Sequence, residues 1–190
     1  PANAVSNIGS WAQRIAQDWL VLELTNNNGT YLGLVTAVQF APVLFFSLHG
    51  GKLADRFNKR KVLILTNILG GSASLGLGAL VITEQVQLWH VFVLAGVLGI
   101  STAIDAPVRQ SFTTEVVGQT DLPNAVSLNS ANFNAGRLIG PAVSGGLIAA
   151  FGTGPSFIVN GLSYFFVIAA LLNLNEKAFF HQDRPKSDGN

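Results

Sequence analysis

Long runs without a charged side chain constrain this chain more than any other feature. Residues 24–51, 62–83, 85–104 and 138–175 contain no Asp, Glu, Lys or Arg. A bilayer core of about 30 Å is crossed by about 20 apolar residues of helix. Each run is therefore long enough to cross once, and the last can cross twice by folding back at Gly152-Thr153-Gly154-Pro155. Buried helices of water-soluble cores are shorter and edged with charge. Charged residues are 11% of the chain and hydrophobic residues 49%, whereas a soluble domain carries roughly 25% charged residues to solvate its surface. The expected fold class is an all-α membrane protein, a six-transmembrane-helix bundle. Its helices are expected near 3–24, 31–50, 61–83, 88–108, 123–150 and 155–174. Residues 1–175 would form the bundle and 176–190 the start of a cytoplasmic loop.

Counting Lys and Arg in successive connections gives 0, 5, 0, 1, 0 and 3, the five being Lys52, Arg56, Lys59, Arg60 and Lys61. Basic loops stay on the cytoplasmic side, so both ends are expected there, in a multi-pass protein of a bacterial plasma membrane. A net charge of +1 argues against nucleic acid, which demands a dense basic patch. Zero cysteines remove a disulfide framework, a thiolate metal site and a cysteine nucleophile. His49, His90 and His181 are scattered, without metal-ligand spacing or a nucleophile–base arrangement. No enzyme, metal or cofactor is expected. Proline at position 1 and the absence of methionine mark the chain as a fragment.

Polar residues inside the spans carry the functional signal. At about 100° per residue, Asn3, Ser6, Asn7, Ser10, Gln13, Arg14, Gln17 and Asp18 fall within an arc of about 140° on the first helix. In a membrane protein such a face turns to a cavity or to partner helices. Arg14 and Asp18 stand four apart and can pair. Alternatively, Asp18 exchanges a proton as the cavity changes sides. On the fifth span Ser127, Ser130, Asn134 and Arg137 share about 80° of one face. Arg137 near mid-membrane costs at least about 2.5 kcal/mol unless paired or hydrated, and Asp18 is its expected partner. Thr36 and Gln39 on the second helix are expected to make lesser cavity contacts. Gly136 and Gly140 form a ridge for close helix packing, as do Gly70, Ser74 and Gly78 on the third span.

The 51–61 connection reads Gly51-Lys52-Leu53-Ala54-Asp55-Arg56-Phe57-Asn58-Lys59-Arg60-Lys61. It resembles the G-x-L-a-D-r-x-G-r-k signature between helices 2 and 3 of the major facilitator superfamily. Asn58 stands where that signature has glycine, and Asn tolerates the left-handed backbone best among the other residues. Gly140-Pro141 with Gly145-Gly146 resembles the superfamily's helix-5 antiporter motif, Ser144 replacing the first glycine of its final pair. Ser6-Asn7-Ile8-Gly9, Asp105-Ala106-Pro107-Val108-Arg109-Gln110 and Leu122-Pro123-Asn124-Ala125 are similar to the branch holding enterobactin-type siderophore exporters and macrolide-efflux proteins.

The resemblance implies the amino-terminal half of such a transporter, built as two inverted three-helix repeats. Its partners would be the lipid bilayer, a missing carboxy-terminal six-helix half, a small organic substrate and protons. Asp18 would couple protons beside Arg14, with Arg137 and Asn134 touching substrate or tuning that proton. Asp55 would face a helix end in the other half. Lys59 would meet a carboxylate on helix 4, Asp105, for which Arg109 competes. Two other readings remain open at this point: a lipid or lysophospholipid transporter of the same fold, and a non-transporting membrane sensor or assembly module.

Overall fold

The computed structural model describes residues 2–56 and 58–173, and of 2, 3, 47–56 and 119 only the backbone. Pro1, Phe57 and 174–190, with Lys177, His181, Arg184 and Lys186, lie outside the described residues. Five continuous helical stretches fill the description: α1 (Ala2–Leu24), α2 (Gly29–Arg56), α3 (Lys59–Ile82), α4 (Leu88–Phe151) and α5 (Gly154–Leu172). The 64 residues of α4 are broken at Gly118, whose φ of 73° and ψ of 175° leave the helical region. Its two limbs, 88–117 and 119–151, bring the total to six helices in an all-α bundle.

The break falls inside the expected 109–122 connection, but helix runs up to it from both sides. The stretch 109–117 stays helical, because nothing in it stops a helix until glycine supplies a backbone that L side chains rarely adopt. Replacing Gly118 by Ala forces a Cβ onto that conformation and is expected to cost about 1–3 kcal/mol. A thermal melt of the purified protein checks this, and a melt equal to wild type would mean that the break does not depend on glycine.

Connections are short and self-satisfied. After α1 the chain turns through Asn26 and Asn27 at φ of 52° and 63°, and the Asn27 amide donates to the Leu22 carbonyl at 2.8 Å. Asn tolerates this region, which accounts for the Asn26-Asn27-Asn28 run. Between α2 and α3, Asn58 has φ of −63° and ψ of 110°. The left-handed turn expected there does not form. Instead Asn58 is the N-cap of α3, its Oδ1 accepting from the Lys61 amide at 3.1 Å, which satisfies one of the orphan donors of a helix start. The motif residues Gly51, Leu53, Asp55 and Arg56 continue α2 as helix; their side chains lie outside the described residues.

Four helical segments are long and apolar enough to cross a membrane on composition alone: Gly29–Phe46, Lys59–Ile82, Leu88–Gly118 and Gly154–Leu172. The other two, α1 and the second limb of α4, are the polar ones, and they pack on each other. A Cβ on Gly140 would overlap Trp11 Cβ and come within 3.0 Å of the Ala12 amide nitrogen, and one on Gly136 would lie 3.0 Å from Trp11 Cδ1. The ridge read from Gly136 and Gly140 is thus a backbone-close contact with α1. Gly145 and Gly146 have nothing within 4 Å of an added Cβ, so they take no part in it. A second small-residue seam joins α3 to α5. There Gly70 and Gly71 receive Tyr164, and Gly78 receives Phe157 and Ile158.

Along the bundle axis the interior is layered. One apolar cluster holds Leu20, Val21, Val35, Leu77, Val91, Ala95 and Phe157. A second holds Leu63, Val108, Phe112, Val167 and Leu171. On α3 the two clusters are 14 residues apart, about 21 Å of helix. Polar side chains occupy the layer between them, flanked by an apolar plug at each end.

Candidate functional site

The middle layer holds a cavity of about 420 Å³, open on one side and lined by residues from all six helices. From α1 it takes Ser6, Asn7, Ser10, Gln13, Arg14 and Gln17, the face read from the sequence as polar. The apolar side of that helix supplies Ala16, Leu20 and Val21 to the plug. The 3.6-residue period of α1 therefore sorts cavity from core.

Two hydrogen-bond networks hold this wall. Gln13 is buried, and its Oε1 accepts from Ser74 Oγ at 2.6 Å and from Asn160 Nδ2 at 2.6 Å. Asn160 Oδ1 accepts in turn from Ser163 at 3.1 Å and Ser10 at 3.5 Å. This ties α1, α3 and α5 together through amides whose unpaired burial would be costly. Gln17 Nε2 donates to Gln39 Oε1 at 3.0 Å, tying α1 to α2.

The second network centres on Asp105. Arg109 Nε reaches its Oδ2 at 2.6 Å and Arg109 Nη2 its Oδ1 at 2.8 Å, a two-pronged pair one helical turn apart. The same Oδ1 accepts from Thr66 at 2.8 Å and Asn67 at 3.3 Å. Both charged side chains are about three-quarters buried, at 22% and 28% exposure. Such a pair persists in a membrane interior because each ion is neutralised and hydrogen-bonded.

Arg14 is held differently. Its guanidinium carbon lies 4.5 Å from the Phe40 ring centre and 5.4 Å from that of Trp11. Trp11 in turn meets Phe133 edge to face at 5.5 Å. The pairing expected between Arg14 and Asp18 is not made: among the described residues no ion pair within 4 Å joins them. The aromatic faces offered by α2 and by α1 itself draw the guanidinium toward the cavity and away from the next turn.

The expected ion pair between Arg137 and Asp18 is also absent among the described residues. Gly136 and Gly140 face α1, so Arg137, one residue beyond Gly136 and about 100° round the helix, projects to the exposed side. Asn134 is exposed too, its Nδ2 donating to Ser130 of its own helix at 2.9 Å. Of the sequence-predicted group, Arg14 and Gln39 border the cavity, whereas Asp18, Thr36, Asn134 and Arg137 do not. Asp18 is half-buried on α1 and has neither a hydrogen bond nor an ion pair among the described residues.

Lys59 is paired with Glu115 at 2.6 Å rather than with Asp105. The helix persisting to 117 carries Glu115 to the level of the start of α3, while Arg109 already occupies Asp105. Arg60 Nη2 donates to the Leu172 carbonyl at 2.7 Å, covering the end of α5. These contacts fasten one end of the bundle. Thr66, Asn67, Asn160 and Tyr164 went unnoticed in the sequence. Their only signal was an amide or hydroxyl group inside an otherwise apolar run.

Six helices, four of them apolar enough to span a bilayer unaided, around a polar cavity define a multi-pass membrane bundle. Comparison with known proteins agrees. Residues 1–185 match the family described as transmembrane secretion effector, and the chain belongs to that family, within the major facilitator superfamily. It is 28% identical over 173 residues to the staphyloferrin A transporter of Staphylococcus aureus, covering 90% of this chain and 43% of that protein. It is 27% identical over 158 residues to the multidrug efflux pump Tap of Mycolicibacterium fortuitum, covering 80% and 38%. Against the enterobactin exporter EntS of Shigella flexneri it is 22% identical over 155 residues, covering 82% and 38%. The chain thus spans about two fifths of the length of these curated relatives.

Proposed function

We propose that this bundle is the amino-terminal half of a secondary exporter. It moves small organic molecules such as siderophores or drugs out of a bacterial cell in exchange for protons. Its ends lie in the cytoplasm, as the basic connections require. The observation that carries the reading is the polar cavity in the middle layer, lined by all six helices, with an apolar cluster toward each end of the bundle. A cargo site at mid-depth between two closable ends is what alternating access needs, with one half-bundle rocking against another. The family membership, the efflux pump and the enterobactin exporter among the relatives support export.

Asp18 serves as the proton-exchanging group. An intramembrane carboxylate without a fixed cation can take up and release a proton, and Asp18 has no ion pair among the described residues. The Lys59–Glu115 contact steadies the cytoplasmic end of the bundle, and the Asp105–Arg109 pair steadies the cavity wall.

The test is efflux from proteoliposomes containing the full-length parent, with and without an imposed proton gradient, over a panel of siderophores and drugs. The gradient is expected to accelerate wild-type efflux of at least one compound. Asp18→Asn is expected to keep substrate exchange while losing that acceleration. A full gradient response in Asp18→Asn would remove Asp18 from the coupling. No movement of any panel member by correctly inserted protein would remove the exporter reading.

A further inference from the structure

The charges on the cavity wall do not balance. Its ionisable side chains that are charged at neutral pH are Arg14, Asp105 and Arg109. Asp105 and Arg109 neutralise each other through two hydrogen bonds, which leaves Arg14. No hydrogen bond or ion pair engages its guanidinium among the described residues. The nearest acid along its own helix, Asp18, lies outside the cavity wall and makes no ion pair with it. Phe40 and Trp11 interact with the guanidinium through their rings. Ring faces steady the flat cation but accept none of its five N–H donors. A cation in a membrane interior with its donors unspent is expensive unless something anionic or aqueous meets it. A second polar group is also left over. The Ser101 hydroxyl, on the same wall and only 5% exposed, has no hydrogen-bond partner among the described residues.

From this we infer that the cavity takes small organic anions bearing carboxylates, with Arg14 as the group that receives the carboxylate. A planar guanidinium held by aromatic neighbours is arranged for two-pronged bonding to a carboxylate. The amides of Gln39 and Asn67 and the hydroxyl of Ser101 offer neutral hydrogen bonds to the rest of the cargo. This assignment rests on the exporter reading for the identity of the cavity as a cargo site. It goes beyond that reading in naming the charge of what is carried.

Binding tests it separately from transport. Radiolabelled propane-1,2,3-tricarboxylate is titrated into the full-length parent in phosphatidylcholine nanodiscs, against its neutral trimethyl ester. The acid is expected to bind at least about tenfold more tightly than the ester, and Arg14→Gln to remove that preference, as loss of a charged hydrogen-bonded contact does. Arg14→Lys, which keeps the charge but not the fork, is expected to retain part of it. Each variant must elute as a single species, so that lost binding is not lost folding. Equal binding of the acid by wild type and Arg14→Gln overturns the inference, as does no binding of the acid at all, the result expected if another helix already supplies an anion to Arg14. Acid binding abolished by adding phosphatidylglycerol transfers the site to a lipid headgroup and overturns the soluble cargo. Binding through Arg14 with no efflux of any compound keeps the anion site and removes the exporter. Efflux of neutral and cationic compounds with no acid binding does the reverse.

Discussion

Gly99→Val is expected to prevent this bundle from assembling, and even Gly99→Ala to cost about 3 kcal/mol, the upper end of overpacking in a filled interior. Gly99 is buried in the first limb of α4, where that limb meets α2. A Cβ added there would overlap the Gln39 carbonyl oxygen, with the Gln39 carbonyl carbon at 3.0 Å and Cα at 3.2 Å. All three are backbone atoms, so no rotamer change relieves the overlap and α2 itself must move. That movement would also carry Gln39 from Gln17, opening the wall of the cavity. Gly76 and Gly145, which have nothing within 4 Å of an added Cβ, are the controls. Alanine there is expected to be neutral or mildly stabilising, by up to about 1 kcal/mol. Thermal melts followed by size-exclusion chromatography compare the three. A Gly99→Ala melt within error of Gly76→Ala would mean that α2 and α4 do not approach as closely as described.

Asp105→Ala is the second large effect, expected to destabilise by about 2–4 kcal/mol, somewhat below a fully buried pair because both partners retain some exposure. Removing the carboxylate takes from Arg109 its two hydrogen bonds to Asp105 and from Thr66 and Asn67 one each, leaving these two with the Leu63 carbonyl as acceptor. The double variant Asp105→Ala/Arg109→Ala is expected to lose less than the sum of the two single variants, since the two side chains hydrogen-bond each other. Strictly additive losses in the melts of the two single variants and the double would show the two groups to be energetically independent, contrary to their geometry.

Much of the fold was legible in the sequence because the bilayer imposes a simple test. Four spans announce themselves by apolarity over the required length. The remaining two were recoverable from polar residues gathered on one face, and α1 does turn that face to the cavity. Helix ends were harder to place. The stretch 109–117 carries charge and reads as a connection, yet nothing in it stops a helix before Gly118. Asn58 was recognised as a turn residue for its tolerance of a left-handed backbone, but it works as a cap, which the same short amide side chain does equally well.

The candidate site divides similarly. Arg14 and Gln39 were picked out as polar residues within spans, and Asp105 and Arg109 through the family's gating cluster; all four border the cavity. The partners assigned to them were wrong wherever the choice lay between helices. Lys59 took Glu115 rather than Asp105, and Arg137 did not take Asp18. Sequence spacing gives depth and face along one helix. It does not give the rotation of that helix about its own axis relative to its neighbours. Here the rotation is set by where glycines permit close approach, Gly136 and Gly140 against α1 and Gly99 against α2. By itself, the order of residues determined that this chain lies in lipid as a helical bundle with a polar interior, because transfer free energy is a property of composition and length. Which cation stands unmatched in that interior was decided only by tertiary packing, because ion pairing depends on distances of a few ångströms between helices far apart in the chain.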